Sequence, residues 1–279
     1  MSEPTTLLRT ERLSVHYGGV RANSDIDITV GAGEIVGLIG PNGAGKTTFV
    51  DAVTGFTAST GQVTLEGRAL DRLGPHRRRR AGLARTWQAG ELFGDLTVEQ
   101  NLAVALQPTG VRSLLTDILG RSRPPRETID AALELAGVPG VGDRRPGELT
   151  LGQQKLVGVA RALVGGSRVV LLDEPAAGLD THESVEFGQH LRRVAASGIG
   201  VLLIDHDMQL VLDICARLYV LDFGVVIAGG EPALIREDAR VIAAYLGTAT
   251  HSTATHSTAA HGDDAQPLAT AARPAGDNE

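Results

Sequence analysis

Cysteine is all but missing from this 279-residue chain, which carries Cys215 and no other. An internal disulfide is therefore excluded, and the usage fits a reducing compartment. With Leu212, Ile214 and Ala216 around it, Cys215 reads as a small hydrophobe on a helix core face rather than a nucleophile. Long apolar runs are missing as well. No stretch reaches the ~18 residues of a membrane span, and Met1 to Thr10 lacks the apolar core of a secretory signal. A basic excess is also absent: the formal net charge is -7, which argues against a protein that coats nucleic acid through a broad positive surface. Any membrane process served by such a chain has to be reached through a partner.

What is present begins with Gly40-Pro41-Asn42-Gly43-Ala44-Gly45-Lys46-Thr47-Thr48. The preceding run, Glu34 to Ile39, has a buried-strand pattern, and Phe49 to Val53 reads as helix. Glycines at 40, 43 and 45 let the backbone curl so that successive amides share one concavity, at the positive end of the following helix. Lys46 is suited to reach terminal phosphates and the Thr47 hydroxyl to ligate magnesium. Strand, loop and helix in that order predict a nucleoside triphosphate site.

The length allows a sizeable core, in one large domain or two closely joined lobes. Extended segments at Leu7 to His16, Asp25 to Val30 and Gln62 to Glu66 predict a small antiparallel sheet beside a parallel core. From Thr97 to Leu163 the pattern is helical. Thr97-Val98-Glu99-Gln100 is a capping box opening a helix through Leu106. Pro124 or Pro125 precedes a second helix with Ile129, Ala132, Leu133 and Leu135 on its apolar stripe, ending at Gly137. A third spans about Gly152 to Val164. Strands at Val169 to Leu172 and Gly200 to Ile204 then alternate with a helix at Thr181 to Ala196. A further helix starts at Asp207, strands follow at Arg217 to Leu221 and Val225 to Ala228, and a helix from Glu231 to Leu246 closes the folded part. The expected organisation is thus a sheet domain over 1–248, a helical insertion over about 97–165, and a low-complexity tail over 249–279 read as disordered. His251, His256 and His261 recur in that tail, but without rigid spacing or co-ligands they do not read as a metal site.

Val169-Val170-Leu171-Leu172-Asp173-Glu174 runs from an apolar strand into paired carboxylates. A strand's carboxyl end is where ligands sit in an α/β sheet. Asp173 is suited to hold magnesium, directly or through water, and Glu174 to polarise a water for in-line attack on the γ-phosphate. His206 ends the parallel apolar run Val201 to Asp205, which brings it to the same edge as a structural hydrogen-bonder or a functional group. Leu149-Thr150-Leu151-Gly152-Gln153-Gln154 places a hydroxyl, a glycine and glutamines at a helix start, an anion-friendly N-terminus. His76 with Arg77 to Arg80 is the strongest basic run. A solvated helical face is the simpler reading, a phosphate or lipid-headgroup contact the other.

In order, these segments resemble the nucleotide-binding subunit of an ATP-binding cassette (ABC) transporter, from about Leu7 to Gly247. The resemblance implies an α/β fold of the RecA-like phosphate-loop NTPase type, with a mostly parallel sheet, an antiparallel β subdomain and an inserted α-helical subdomain. It implies that Tyr17 stacks on adenine and that Gln88 links the magnesium site to the transmembrane subunits. It further implies that Leu149 to Gln153 bind the γ-phosphate held by the opposite subunit, that Asp180 lies in the loop crossing the dimer interface, and that His206 is the switch histidine. Lys46, Glu174 and His206 are the implied catalytic groups, ATP and Mg2+ the cofactors, and Thr47, Gln88 and Asp173 the metal site. Implied partners are a second ATPase subunit (same or sister chain), transmembrane permeases and, indirectly, a periplasmic or lipid-anchored solute-binding protein, with no nucleic acid. The implied location is peripheral, on the cytoplasmic face of the membrane.

Arg85 to Gln88, Leu92-Phe93, Leu96 to Leu102, the Gly152-Gln153-Gln154 triplet, the stretch Gln107 to Arg126 and the end Val241 to Gly247 look like the branched-chain amino acid importers. Urea or amide uptake and lipopolysaccharide export are the related alternatives. Thr150 stands for the usual serine, Leu151 for the first glycine of the common signature, Trp87 for phenylalanine, and Ala89-Gly90-Glu91 departs from typical coupling-loop residues. Two readings of another class compete. A soluble ABC ATPase on DNA or ribosomes would call for coiled-coil heptads or a repeated loop, and neither occurs. A phosphate-loop kinase would have no use for 149–154.

Overall fold

The computed structural model describes residues 5–86, 92–106 and 125–245. A hairpin of β1 (Thr6–Tyr17) and β2 (Val20–Gly31) leads into β3 (Ile35–Ile39), α1 (Lys46–Thr54), β4 (Thr60–Leu65), β5 (Arg68–Ala69), α2 (Pro75–Arg80) and β6 (Leu83–Arg85). The helices α3 (Val98–Leu106), α4 (Arg126–Ala136) and α5 (Leu151–Leu163) follow, with a 3-10 turn at Pro146–Glu148 before the last. Then come β7 (Val169–Asp173), α6 (Thr181–Ala196), β8 (Gly200–Ile204), α7 (Met208–Ile214), β9 (Arg217–Asp222), β10 (Val225–Gly230) and α8 (Pro232–Glu237).

Two sheets result. One is antiparallel, in the order β2-β1-β4-β5; the other has the order β10-β9-β3-β8-β7-β6. In the second, β9, β3, β8, β7 and β6 run parallel and only the edge strand β10 is antiparallel. Strands with both faces covered read as unbroken apolar runs, and period-2 alternation then sends neighbours to opposite sides. Val170, Leu172, Val201 and Leu203 pack with the helices α3 to α6. Val169, Leu171, Leu202 and Ile204 pack with α1 and the antiparallel sheet. The α/β phosphate-loop architecture expected from the sequence is the one observed.

The capping box at Thr97 forms as its spacing predicts: Gln100 N–H donates to Thr97 Oγ1 at 3.2 Å and Thr97 N–H to Gln100 Oε1 at 2.9 Å. On α4 the buried stripe is Ile129, Ala132, Leu133 and Ala136, with Leu135 only half-buried, and Gly137 closes the helix at φ +87°. Two expectations need correction. The arginine run is not simply a solvated face. Arg78 is buried and donates to the carbonyls of Leu73, Ala52 and Val53 at 2.7–2.9 Å, satisfying the C-terminal end of α1. Nor is the C-terminal helix continuous. Asp238 takes extended backbone (φ −70°, ψ 118°), its carboxylate accepts from the Arg240 N–H at 2.8 Å, and a new helical segment runs over 239–245. An aspartate that caps the next helix competes with the one before it.

Candidate nucleotide site

The carboxyl ends of the parallel strands share one edge. β3 is followed by Gly40, β6 ends on Arg85 with Thr86 next, β7 ends on Asp173 with Glu174 next, and β8 is followed by Asp205 and His206. The structure thus assembles Lys46, Thr47, Asp173, Glu174 and His206, named from the sequence, on one rim.

Within the loop, Gly40 has φ +150° and an added Cβ would lie 2.0 Å from the Leu221 carbonyl oxygen; Gly45 has φ +99° and a Cβ there would meet Ala22 O and Asn23 Nδ2 at 2.7 Å. Neither place admits a side chain. The loop's carbonyls are tied back from behind: Gly224 N–H donates to Ala44 O at 2.9 Å and Asn23 Nδ2 to Gly45 O at 3.1 Å. Helix α1 begins at Lys46 with no side-chain cap and no acidic residue in its first turn. Its first N–H groups therefore keep donor capacity for an anion.

By contrast, α5 and α6 close their own N-termini. Thr150 Oγ1 accepts from Gln153 N–H at 3.2 Å while Gln153 Oε1 accepts from Thr150 N–H at 3.1 Å. Asp180 and Glu183 exchange the equivalent pair at 2.8 and 3.1 Å. The α5 start, read from sequence as an open anion site, is self-capped in this conformation, because the Gln three residues on completes a capping box. Leu149 is buried and its carbonyl accepts from Gln154 Nε2.

Lys46 Nζ donates to its own loop, to Gly40 O at 2.7 Å and Pro41 O at 3.0 Å. Burial lowers its pKa, while the fields of Glu174 and Asp173 act to raise it. Asp173 is 4% exposed and accepts from Arg85 Nη2 at 2.9 Å; the same guanidinium also donates to Asp51 of α1. Glu174 has φ +47°, and its N–H donates to Ile204 O at 2.7 Å, binding the ends of β7 and β8 together. His206 lies in the open, its side chain 72% exposed, with Nδ1 3.7 Å from Asp205 Oδ1. Tyr17, at the β1–β2 turn, is 52% exposed with its phenol oxygen 3.3 Å from Thr57 Oγ1. Gln88 falls outside the described residues.

Two residues had no assigned role in the sequence reading. Arg85 was visible only as part of the Arg85 to Gln88 string. Asp205 is buried and accepts from the N–H groups of Ala176 (3.2 Å) and Asp207 (3.0 Å), which joins the loops after β7 and β8. Burial pushes its pKa up and those amides act to lower it. The signal for it was an apolar strand ending in a carboxylate, the same signal that marked Asp173.

A groove of about 530 Å³ is lined among others by Phe56, His76, Arg79, Phe93, Val104 and Arg161. Among the described residues, no group of three or more His, Cys, Asp or Glu is placed to hold a metal, and no helix is long and apolar enough to cross a membrane.

Residues 23–177 match the ABC transporter family, and residues 225–251 match the branched-chain amino acid ATP-binding cassette transporter family. The chain is 38% identical over 257 residues to the high-affinity branched-chain amino acid transport ATP-binding protein LivG of Escherichia coli, covering 89% of this chain and 100% of that one. To the corresponding protein BraF of Pseudomonas aeruginosa it is 36% identical over 261 residues, with the same coverage. The lipopolysaccharide export system ATP-binding protein LptB of Escherichia coli is 34% identical over 241 residues (86% of this chain, 97% of that one). Among solved structures, the ADP conformation of an ATP-binding cassette from an ABC transporter superposes with TM-score 0.77 at 30% identity, covering 87% and 99% of the two chains.

Proposed function

The chain belongs to the ABC transporter ATP-binding family, and from that premise we propose that it powers an importer of branched-chain amino acids. ATP binding and hydrolysis coupled to transport come with the family; the cargo is the further step. The observation that carries it is the second family match at 225–251, together with higher identity to LivG and BraF than to LptB.

In the proposed cycle the uncapped start of α1 and Lys46 receive the β- and γ-phosphates, Lys46 leaving the carbonyls of Gly40 and Pro41. The rest of the loop (Asn42, Gly43, Ala44, Gly45, Thr48) wraps the phosphates, and Tyr17 stacks on the adenine. Thr47, Asp173 and Gln88 would hold Mg2+. Few protein donors suffice, since that ion keeps waters and phosphate oxygens in its shell, and its role is to neutralise charge as the γ-phosphate leaves. Glu174 takes the proton of the water that attacks the γ-phosphorus; the bond to the β-phosphate oxygen breaks, yielding ADP and phosphate. His206 meets the γ-phosphate from the neighbouring strand.

A second copy or sister subunit, arranged head-to-tail, covers the open side with its Leu149, Thr150, Gly152 and Gln153, while Asp180 lies at the contact. Loss of the γ-phosphate then lets the two part. The groove lined by exposed Phe56, Phe93 and Val104 with basic neighbours is offered to a cytoplasmic segment of the permease. This fixes the protein peripherally at the cytoplasmic face, reaching the solute-binding protein only through the permease. Residues 1–248 form the working ATPase, with the insertion over about 97–165.

Expressed with its permeases in a strain lacking leucine uptake, the chain should restore uptake of labelled leucine, and Lys46→Ala should abolish it. Restoration of urea uptake, or complementation of a lipopolysaccharide-export defect instead, overturns the cargo reading.

A further inference from the structure

Strand β2 carries a polar side chain into the interior. Ile26, Ile28 and Val30 are buried there, as a strand against a core requires, and Asn23 is buried with them at 0% exposure. Its Nδ2 donates to the Gly45 carbonyl at 3.1 Å, while its Oδ1 is buried with no hydrogen-bond partner among the described residues. Turning the amide over would set carbonyl against carbonyl, so the bond to Gly45 fixes its orientation. A buried acceptor left unpaired costs stability. Packing alone therefore does not account for an asparagine at this place, and the hold on Gly45 does.

The Gly45 carbonyl also accepts from Phe49 N–H at 2.9 Å, the first bond of α1, and Asn23 takes its second lone pair. The preceding carbonyl, Ala44 O, accepts from Gly224 N–H at 2.9 Å, and Gly224 O accepts in turn from Ser24 N–H at 2.8 Å. Two successive peptides of the loop are thus gripped from β2 and the β9–β10 turn that β2 holds. A trans peptide points its N–H away from its C=O, so each carbonyl drawn to that side aims the next N–H to the other. Those are the N–H groups of Gly45 and Lys46. The second stands at the start of α1, where the helix supplies no acceptor of its own.

We propose that Asn23 is a positioning residue for ATP, steadying the Gly45–Lys46 peptide from behind so that the Lys46 N–H is aimed at a phosphate. The proposal rests on the reading of 40–48 as the ATP site. It gives β2 a task in nucleotide binding besides packing against α1. A donor already aimed binds an anion more tightly because less order has to be created on binding.

The test uses the full-length protein with ATP and Mg2+. Asn23→Leu keeps the branching of the side chain and removes both the donor and the unpaired acceptor. The expected result is about a fivefold rise in Kd and in KM for ATP, the effect of one ordinary hydrogen bond. The loss should fall on KM rather than kcat, and the thermal midpoint without nucleotide should stay at or above the native one, since no buried acceptor is left unpaired. Asn23→Ala, which no steric conflict can prevent from folding, should show the same rise in Kd and KM. A native Kd for ATP in these variants overturns the proposal. So does a fall of kcat and midpoint in step with affinity, which would mark Asn23 as a structural residue alone. Lys46→Ala separates the two readings. If it loses ATP binding while Asn23→Leu stays native, only the role of Asn23 fails; if it binds ATP normally, the site itself is misassigned.

Discussion

Glu174 stands at φ +47°, a backbone region that costs a non-glycine residue on the order of 1–3 kcal/mol and that persists where the surrounding structure over-determines it. The turn it makes is locked by its N–H on Ile204 O, and in the proposed cycle the two carboxylates at this strand end take different tasks. Glu174→Gln should keep ATP binding and lower phosphate release by roughly 10²–10⁴-fold, the range for loss of a general base. Equilibrium nucleotide binding and single-turnover phosphate release check this, and native turnover would remove Glu174 from the role. Arg85 supports the neighbouring carboxylate from inside, its side chain and that of Asp173 both nearly inaccessible. Arg85→Ala leaves Asp173 buried without its cation, and the expected cost is about 3 kcal/mol by urea denaturation. A change well under 1 kcal/mol would show that the pair is not needed for folding. Asp173 and Glu174 were legible because a buried strand running into acid is a local pattern. The role of Arg85 was not, since its partners Asp51 and Asp173 lie 34 and 88 positions away.

Helices show the same division. Their starts were readable where a cap is local, as at Thr97, Thr150 and Asp207. The inward turn of Arg78 was hidden because its acceptors, 25 and 26 residues earlier, exist only once α1 has ended beside it. Where α4 ends against α6, His190 Nδ1 is buried with no hydrogen-bond partner among the described residues, and a Cβ on Gly137 would lie 1.8 Å from it. Burial and then Arg193 lower the pKa of His190, against the opposing field of Glu186. A histidine held neutral in the fold takes up its proton more readily when unfolded. Its contribution is therefore intact at neutral pH and is lost as pH falls through the ordinary value of 6.5. Urea midpoints of the native chain should drop more between pH 7.5 and 5.5 than those of His190→Asn. Equal drops would exclude His190 as a source of the acid sensitivity.

For the whole molecule, the parallel order of the strands was legible because their apolar runs are unbroken and end in chemistry. The break at Asp238 was not, because helix periodicity over 231–246 carries no mark of a capping carboxylate in its middle. We propose that the tail over 249–279 is dispensable. Its removal should leave kcat and KM for ATP within about twofold of native, since Leu268 is the one large apolar residue in its sequence. A large loss of ATPase activity would give the tail a part in the cycle. The resting place of Lys46 has a consequence for binding. An ammonium shared between two carbonyls of its own loop braces that loop from within. Phosphates entering it would meet a turn already wound, with less order left to create on binding.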